Sequence, residues 1–364
     1  MLRFEKRAID LGNMCEASSV FDVNNDGHAD IVSGEYWYEG PDFIKKHRIC
    51  DIKFDGNYVH DFSDYPMDVD GDGYTDIITG SWWGGGLYWR RNPGPKGGEW
   101  ETLKIMDLGN VETIRYHDVD GDGHPEIIPN CPGEPPFFVR LGRGKDGRPN
   151  GEFKKHVLHD HPQGHGLGIG DVDGDGYPEI IVPNGIFRMV GGDAYCGRWE
   201  RQDDCKAKAG WSVPVIVHDV DGDGMNDLIL GYGHGYGLVW LKQGRDGSGG
   251  RTWEERVIDG AWSQYHDMQL ADIDGDGKPE LVTGKRYKAH NGNDPGDDGD
   301  VFICYYKFRD GGLYRHVVDC GDPAKGHSGV GIYLWLHDLS GNGLPDIVAP
   351  GKEGLYLFTN HGPE

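Results

Sequence analysis

The chain has 364 residues, 61 of them glycine, and no stretch apolar and long enough to span a membrane as a helix. Its 61 acidic residues against 36 Lys+Arg give a formal charge of −25, and no basic stripe appears, which excludes nucleic acid as an expected partner. The opening residues Met1, Leu2, Arg3, Phe4, Glu5 and Lys6 form no apolar signal core. The chain is therefore expected either to stay inside the cell or to have lost a signal segment.

Acidic loops punctuate the chain. The first is Asp22, Asn24, Asp26 and Asp30, followed by Asp68, Asp70, Asp72 and Asp76. Next come Asp118, Asp120, Asp122 and Glu126, then Asp171, Asp173, Asp175 and Glu179. Asp219, Asp221, Asp223 and Asp227 follow, then Asp272, Asp274, Asp276 and Glu280. The last loop holds Asp338, Ser340, Asn342 and Asp346, and with two carboxylates its site is expected to be weak or empty. Carboxylates at positions 1, 3, 5 and 9, with glycine at position 6 for a sharp turn, suit a hard cation such as calcium. These loops hold 25 of the acids, and the remaining 36 equal the 36 basic residues. Bound cations are therefore expected to offset the charge excess. Calcium in several loops favours an extracytoplasmic setting.

Between the loops the pattern is one of short strands. Apolar runs such as Val215 to Val217 and Leu228 to Leu230 enter and leave the loop, with no amphipathic helix beside it. Third strands are read at 87–89, 137–139, 238–240, 303–305 and 355–357, and aromatic-led outer strands at 4–10, 43–49, 100–105, 153–158, 253–258 and 314–318. Loop starts lie 46 to 66 residues apart. Seven strand-rich repeats of this length predict an all-β, seven-bladed β-propeller with four strands per blade, forming one domain over 1–364. The chain opens on an outer strand and ends on a third strand, so the N-terminal strand is expected to complete the last blade.

Two insertions, about 186–212 and 285–300, are read as second-to-third-strand loops on the face opposite the acidic loops. Seven cysteines make no disulfide framework. Cys196 and Cys205 are placed to pair within the first insertion, which reads as a lid or lip. Counting back along the inner strands by even steps puts Glu16, Glu112, His165 and His266 at minus six. His60, Trp211 and Gln264 fall at minus eight. Strand ends and loops add Glu35, Trp82, Trp83, Asn130, Asn184, Arg188, His234, Tyr236, Lys285, Arg286, Tyr287 and His290. His117, His218 and His337 precede loop aspartates and read as structural. Aromatic faces, imidazoles and cations at one opening suit a sugar or other polar ligand. The mouth residues differ from blade to blade, which favours one central site over seven equivalent ones. Two or three imidazoles with Glu112 also suit a divalent metal with an open position.

The loops resemble the calcium-loop propeller repeats of the FG-GAP/VCBS type shared with integrin α-chain heads. A narrower resemblance rests on three segments: Gly164, His165 and Gly166; Trp262 to His266; and Gly284, Lys285, Arg286 and Tyr287 with residues 289–296. These are similar to the propeller of aldos-2-ulose dehydratase and to propeller polysaccharide lyases acting on rhamnose–glucuronate or ulvan linkages. The resemblance implies β-elimination on a uronate-containing saccharide or keto-sugar. His165 and His266 would serve as base or metal ligands, and Lys285 and Arg286 would neutralise the carboxylate or enolate. Tyr236 or Tyr287 would act as acid, with His60 and His234 in support. Trp82, Trp83, Glu112, Asn130, Arg188, Trp211 and His290 would contact substrate. The alternative is a non-enzymatic, calcium-stabilised carbohydrate-binding or adhesion propeller.

Overall fold

The computed structural model describes residues 2–363 except 192, 196, 206–209 and 310. Seven four-stranded antiparallel sheets form a closed ring of blades, as the repeat predicts. Blade five shows the plan: inner strand Ile216–His218, second strand Asp227–Gly231, third strand Tyr236–Arg245 and outer strand Arg251–Ser263. Second strands are buried on both faces, between neighbouring blades, and so are continuous apolar runs. Their side chains make the core: Ile181 and Ile186 of blade four pack with Val215, Leu228, Leu230 and Val239 of blade five. Outer strands meet solvent on one side and alternate accordingly.

The seventh blade is built from both ends of the chain. Its inner, second and third strands are Trp335–His337, Asp346–Ala349 and Leu355–Pro363, and its outer strand is Leu2–Asp10. Lys6 pairs with Phe358 and Arg7 with Leu357, so the N-terminal strand closes the ring.

Each acidic loop is a hydrogen-bonded turn. In blade five the Asp219 carboxylate accepts from the N–H groups of Gly222 (2.8 Å), Asp223 (3.2 Å) and Gly224 (2.9 Å). Gly224 at position 6 has φ +85°, a conformation open to glycine at little cost. Asp227 at position 9 accepts from Val220 N (3.2 Å) and Gln243 N (2.7 Å), tying loop to third strand.

Blade four differs from its predicted layout. Its third strand, Gly185–Val190, follows the second strand Glu179–Val182 at once, and Arg198–Gln202 is its outer strand. The extra residues therefore fall around the outer strand and not between strands two and three. The residues read as a lid are mostly ordinary blade. Cys205 is buried, while Cys196 lies outside the described residues, as does any pairing of the two. The second insertion does join strands two and three of blade six, Glu280–Lys285 and Val301–Arg309. A short hairpin, Phe54–Asp55 with Tyr58–Val59, stands between blades one and two and was not foreseen.

Candidate metal centre at the channel mouth

Six positions before each acidic loop, the inner strands contribute Glu16, Phe62, Glu112, His165, Val213, His266 and Ile332. Because blades repeat, these positions form one layer, and its polar members meet across the ring. His266 Nε2 lies 2.9 Å from Glu112 Oε1, and His165 Nε2 lies 3.4 Å from the same oxygen. His234 joins from the second-to-third loop of blade five, its Nε2 2.9 Å from His165 Nε2. The ligand atoms of Glu112, His165, His234 and His266 all lie within 4.8 Å of one another.

The outer nitrogens of two rings are already committed. His165 Nδ1 lies 2.9 Å from the Trp211 carbonyl oxygen, which can only accept. His234 Nδ1 lies 2.8 Å from Asp294 Oδ2. With neutral rings and an ionised Asp294, both Nδ1 atoms carry the proton and both Nε2 lone pairs face each other. Two acceptors 2.9 Å apart are tolerable only with a proton or a cation between them. Carboxylate and carbonyl partners on the outer ring nitrogen are also the usual surroundings of metal-bound histidine. The Nδ1 of His266 is buried with no partner among the described residues.

Electrostatics separate the three rings. Burial pushes His266 down to about 4, against its hydrogen bond to Glu112. Burial, with His165 and His266 nearby, drives His234 far below the ordinary histidine value. Burial would raise Glu112, yet His165 and His266 hold it well below the usual carboxylate range. His165 is lowered by burial but raised more strongly by Glu112. At neutral pH, His234 and His266 are therefore unprotonated, while Glu112 favours the charged form of His165.

A charged wall flanks this cluster. Arg286 makes a two-point contact with Glu16 (2.9 and 3.2 Å) and lies 3.6 Å from Glu112. Lys352 sits 3.6 Å from Glu16 and donates to the Lys288 carbonyl at 2.6 Å. His290 stacks on His234, ring centres 4.3 Å apart, and its Nδ1 lies 2.9 Å from Asp294. Tyr58 lies under Lys352 (4.9 Å) and faces His290 (6.4 Å). With the histidines neutral, Glu16, Glu112 and Asp294 against Arg286 and Lys352 leave the site one net negative charge. A divalent ion would make it positive and receptive to an anion.

The acidic loops fit a hard cation too. Donors from Asp68, Asp70 and Asp76, and from Asp118, Asp120 and Asp122, converge in space. Buried oxygens of Asp70, Glu179 and Asp221 have no hydrogen-bond partner among the described residues. Burial and crowding by neighbouring loop carboxylates raise Asp76, Glu179 and Glu280 to about 7. Five loops also receive a cation from the third strand of their own blade. Arg91 reaches Asp70 at 2.5 Å, Arg140 reaches Asp122 at 2.9 Å and Arg188 reaches Asp173 and Asp175 at 2.9 and 2.7 Å. Lys242 contacts Asp221 and Asp223, and Lys307 contacts Asp274. In blades one and seven the register puts Glu39 and Thr359 at this place. Some loop carboxylates are thus paired by the chain's own cations, which leaves the net charge of −25 unchanged.

A family model described as FG-GAP-like repeat matches residues 68–128 and 219–283. The chain carries FG-GAP-like repeats. Its fold is similar to that of BBS1N in two crystal structures of its complex with ARL6DN. The mercury-soaked structure gives a TM-score of 0.53 at 12% identity, covering 100% of this chain and 97% of that one. The lead-soaked structure gives 0.50 at 12% identity, with 97% of each chain covered. The V. cholerae biofilm matrix protein Bap1 aligns with a TM-score of 0.40 at 13% identity, over 96% of this chain and 81% of that one. No curated protein matches. At such identities the likeness is one of fold.

Around the FG-GAP-like framework the predicted mouth residues divide. Glu112, His165, His234, His266 and Arg286 come together, with His290 against them. His60 and Trp83 stack on one another (5.4 Å) at the edge of the opening. Arg188 is corrected: as a third-strand residue opposite Glu179 it points into an acidic loop on the other face. Lys285 is corrected as well, since its ammonium donates to the carbonyls of Gly299 (3.0 Å) and Asp300 (3.1 Å) and anchors the blade-six insertion. Asn130 is buried and braces Gly164 and Gly166, so it holds the His165 turn and does not face the opening. The Trp211 ring is in the core, and its carbonyl serves the site. Trp82 packs on Tyr58, Phe62 and Ile332. Tyr236 is half exposed with its hydroxyl against Gly296, and Tyr287 lies under Lys288 (5.2 Å). Neither tyrosine adjoins the histidines by any contact described above. Lys352, Asp294 and Tyr58 were missed. Lys352 occupies the same second-to-third turn in blade seven that His234 occupies in blade five, a correspondence readable in the repeat.

Proposed function

We propose that the chain is a carbon–oxygen lyase that holds a divalent ion at Glu112, His165, His234 and His266 and performs β-elimination on a uronate-containing saccharide or keto-sugar. Calcium in the FG-GAP-like loops is the structural counterpart of this reading. The observation that carries it is the pair of opposed Nε2 atoms of His165 and His234 beside Glu112 and Arg286. A divalent ion bound there would polarise a carboxylate or ketone oxygen and stabilise negative charge on it.

The chain's own groups supply the rest. Arg286 and Lys352 offer positive charge to the anionic group. His290, with Nδ1 held by Asp294, has its Nε2 available to take the proton next to the carboxylate or ketone. As that proton leaves, the C–O bond breaks, the alkene forms, and the departing oxygen takes a proton. Tyr58 is the group placed to give it. Burial pushes its hydroxyl up to about 12, so it stays protonated at neutral pH.

The test is ultraviolet absorbance of the zinc- and calcium-loaded protein with a panel of uronate polysaccharides and keto-sugars. A conjugated-alkene band that grows, and is absent with His165→Ala, supports the reading. A flat trace with saccharide binding retained moves the assignment to a recognition propeller. That second reading is favoured by the whole-chain fold likeness to BBS1N, solved in complex with ARL6DN.

A further inference from the structure

A cleft of about 260 Å³ lies between blades one and two, walled in part by Ile52, Lys53, His60, Thr79, Trp83 and Arg90. Three features suit it to a sugar ring. Trp83 presents a large ring that is 40% exposed, braced edge-on by Tyr58 (4.4 Å) and stacked with His60. Aromatic faces of this kind bury the apolar side of a pyranose at little entropic cost. Two polar atoms on the cleft residues are buried without a partner among the described residues: His60 Nε2 and Arg90 Nε. Arg90 is 3% exposed, and its terminal nitrogens are taken by Asp61 (3.0 Å) and Asp64 (3.0 Å). Its Nε–H is thus a fixed donor left over, and such a group is costly to bury unless something accepts from it.

Ring contacts link the cleft to the candidate metal centre. His290 faces Tyr58, Tyr58 touches Trp83, and Trp83 stacks with His60. Phe54, in the same hairpin as Tyr58, is 47% exposed. One chain of ring contacts therefore runs from the mouth to the cleft.

We infer that this cleft is a second saccharide subsite, so that the substrate is an oligo- or polysaccharide bound across both places and not a free monosaccharide. The inference rests on the lyase reading for the identity of the first subsite, but its test does not need turnover. Binding of oligosaccharides two to eight sugars long, cut from a glucuronate and from a galacturonate polymer, would be followed by calorimetry. The protein is the full chain carrying His165→Ala, so that nothing is cleaved.

Affinity should rise at least about tenfold from two sugars to four or more. Trp83→Ala should abolish that gain, and Trp83→Phe should retain most of it. His60→Ala should weaken it while leaving the melting temperature within about 1 °C, as for other partly exposed side chains. A length-dependent gain that Trp83→Ala removes upholds the subsite even where no variant shows elimination. Affinity independent of length, a gain untouched by Trp83→Ala, or no binding by any member of the series overturns it, whether or not the wild type eliminates.

Discussion

The Nε2 atoms of His165 and His234 face each other at 2.9 Å while their Nδ1 atoms are held by the Trp211 carbonyl and the Asp294 carboxylate. This geometry predicts tight binding of one divalent transition ion. Zinc titration should find a single high-affinity equivalent beyond the loop sites, and His234→Ala should remove it. Asp294→Asn should weaken it by about 10–100-fold, the usual cost of losing an outer partner. Zinc binding unchanged in both variants would leave a shared proton as the occupant.

Gly166 is a remote control on the same site. It has φ +135°, and a Cβ there would lie 2.6 Å from Trp211 Cβ. Gly166→Ala should cost about 1–3 kcal/mol through strain and displacement of Trp211. It should also lower zinc affinity, because the carbonyl that orients His165 moves. Equal zinc affinity in the folded variant would show that His165 does not depend on that carbonyl.

The tethered cations of the FG-GAP-like loops should compete with calcium. Lys242→Met leaves Asp221 and Asp223 without their ammonium. Without calcium the variant should melt lower by the small amount an exposed pair contributes, about 0.2–1 kcal/mol. The rise in melting temperature on adding calcium should be larger than in the wild type. An unchanged calcium-dependent rise would mean that Lys242 and the ion do not share the loop.

Asp64 gives a pH dependence of definite sign. Burial, and then the neighbouring Asp61 carboxylate, raise it well above its ordinary value of 3.8 despite Arg90. A raised carboxyl contributes stability that is present below the unfolded value and lost as pH rises through the folded one. The wild type should thus lose stability from this group as pH climbs above about 4, and Asp64→Asn should flatten that part of the profile. Urea denaturation at a series of pH values reads the difference, and parallel profiles would refute it.

Deleting residues 2–10 should destabilise the whole ring. The strand supplies Leu2, Phe4 and Ile9 to the cores on either side of blade seven. A single cooperative transition lowered by more than about 10 °C is expected by calorimetry. An early, separate transition with the main one unmoved would mean that the strand only decorates the edge.

The framework was legible because it is periodic. Each acidic turn announces itself by spacing, and even counting along an inner strand put Glu112, His165 and His266 in one layer. Most residues that were missed or misplaced sit where periodicity lapses. Asp294 comes from an insertion whose reach no strand pattern specifies, whereas Lys352 occupies a turn that the repeat does mark, equivalent to that of His234 in blade five. Arg188 was misread because blade four has only a two-residue step, Pro183 and Asn184, between strands two and three. With the strand mistaken for a loop, its arginine was assigned to the wrong face. Tyr236 and Lys285 are near the mouth in sequence, but the side a residue takes at a strand end depends on bulges, such as those beside Tyr236 and Tyr265.

Closure by Leu2–Asp10 also sets an order of events during synthesis. Of the strands of this ring, Leu2–Asp10 is made first and finds its neighbour last, because Leu355–Pro363 must emerge before the two can pair. Until then both edges stay unpaired, one on each of these two strands. Glu5, Lys6, Arg7 and Asp10 put charge along the waiting strand, which discourages pairing with other chains. The acidic turns of the earlier blades are local and can form as each repeat appears. The ring therefore grows repeat by repeat, and its final joint brings together segments from opposite ends of the described chain.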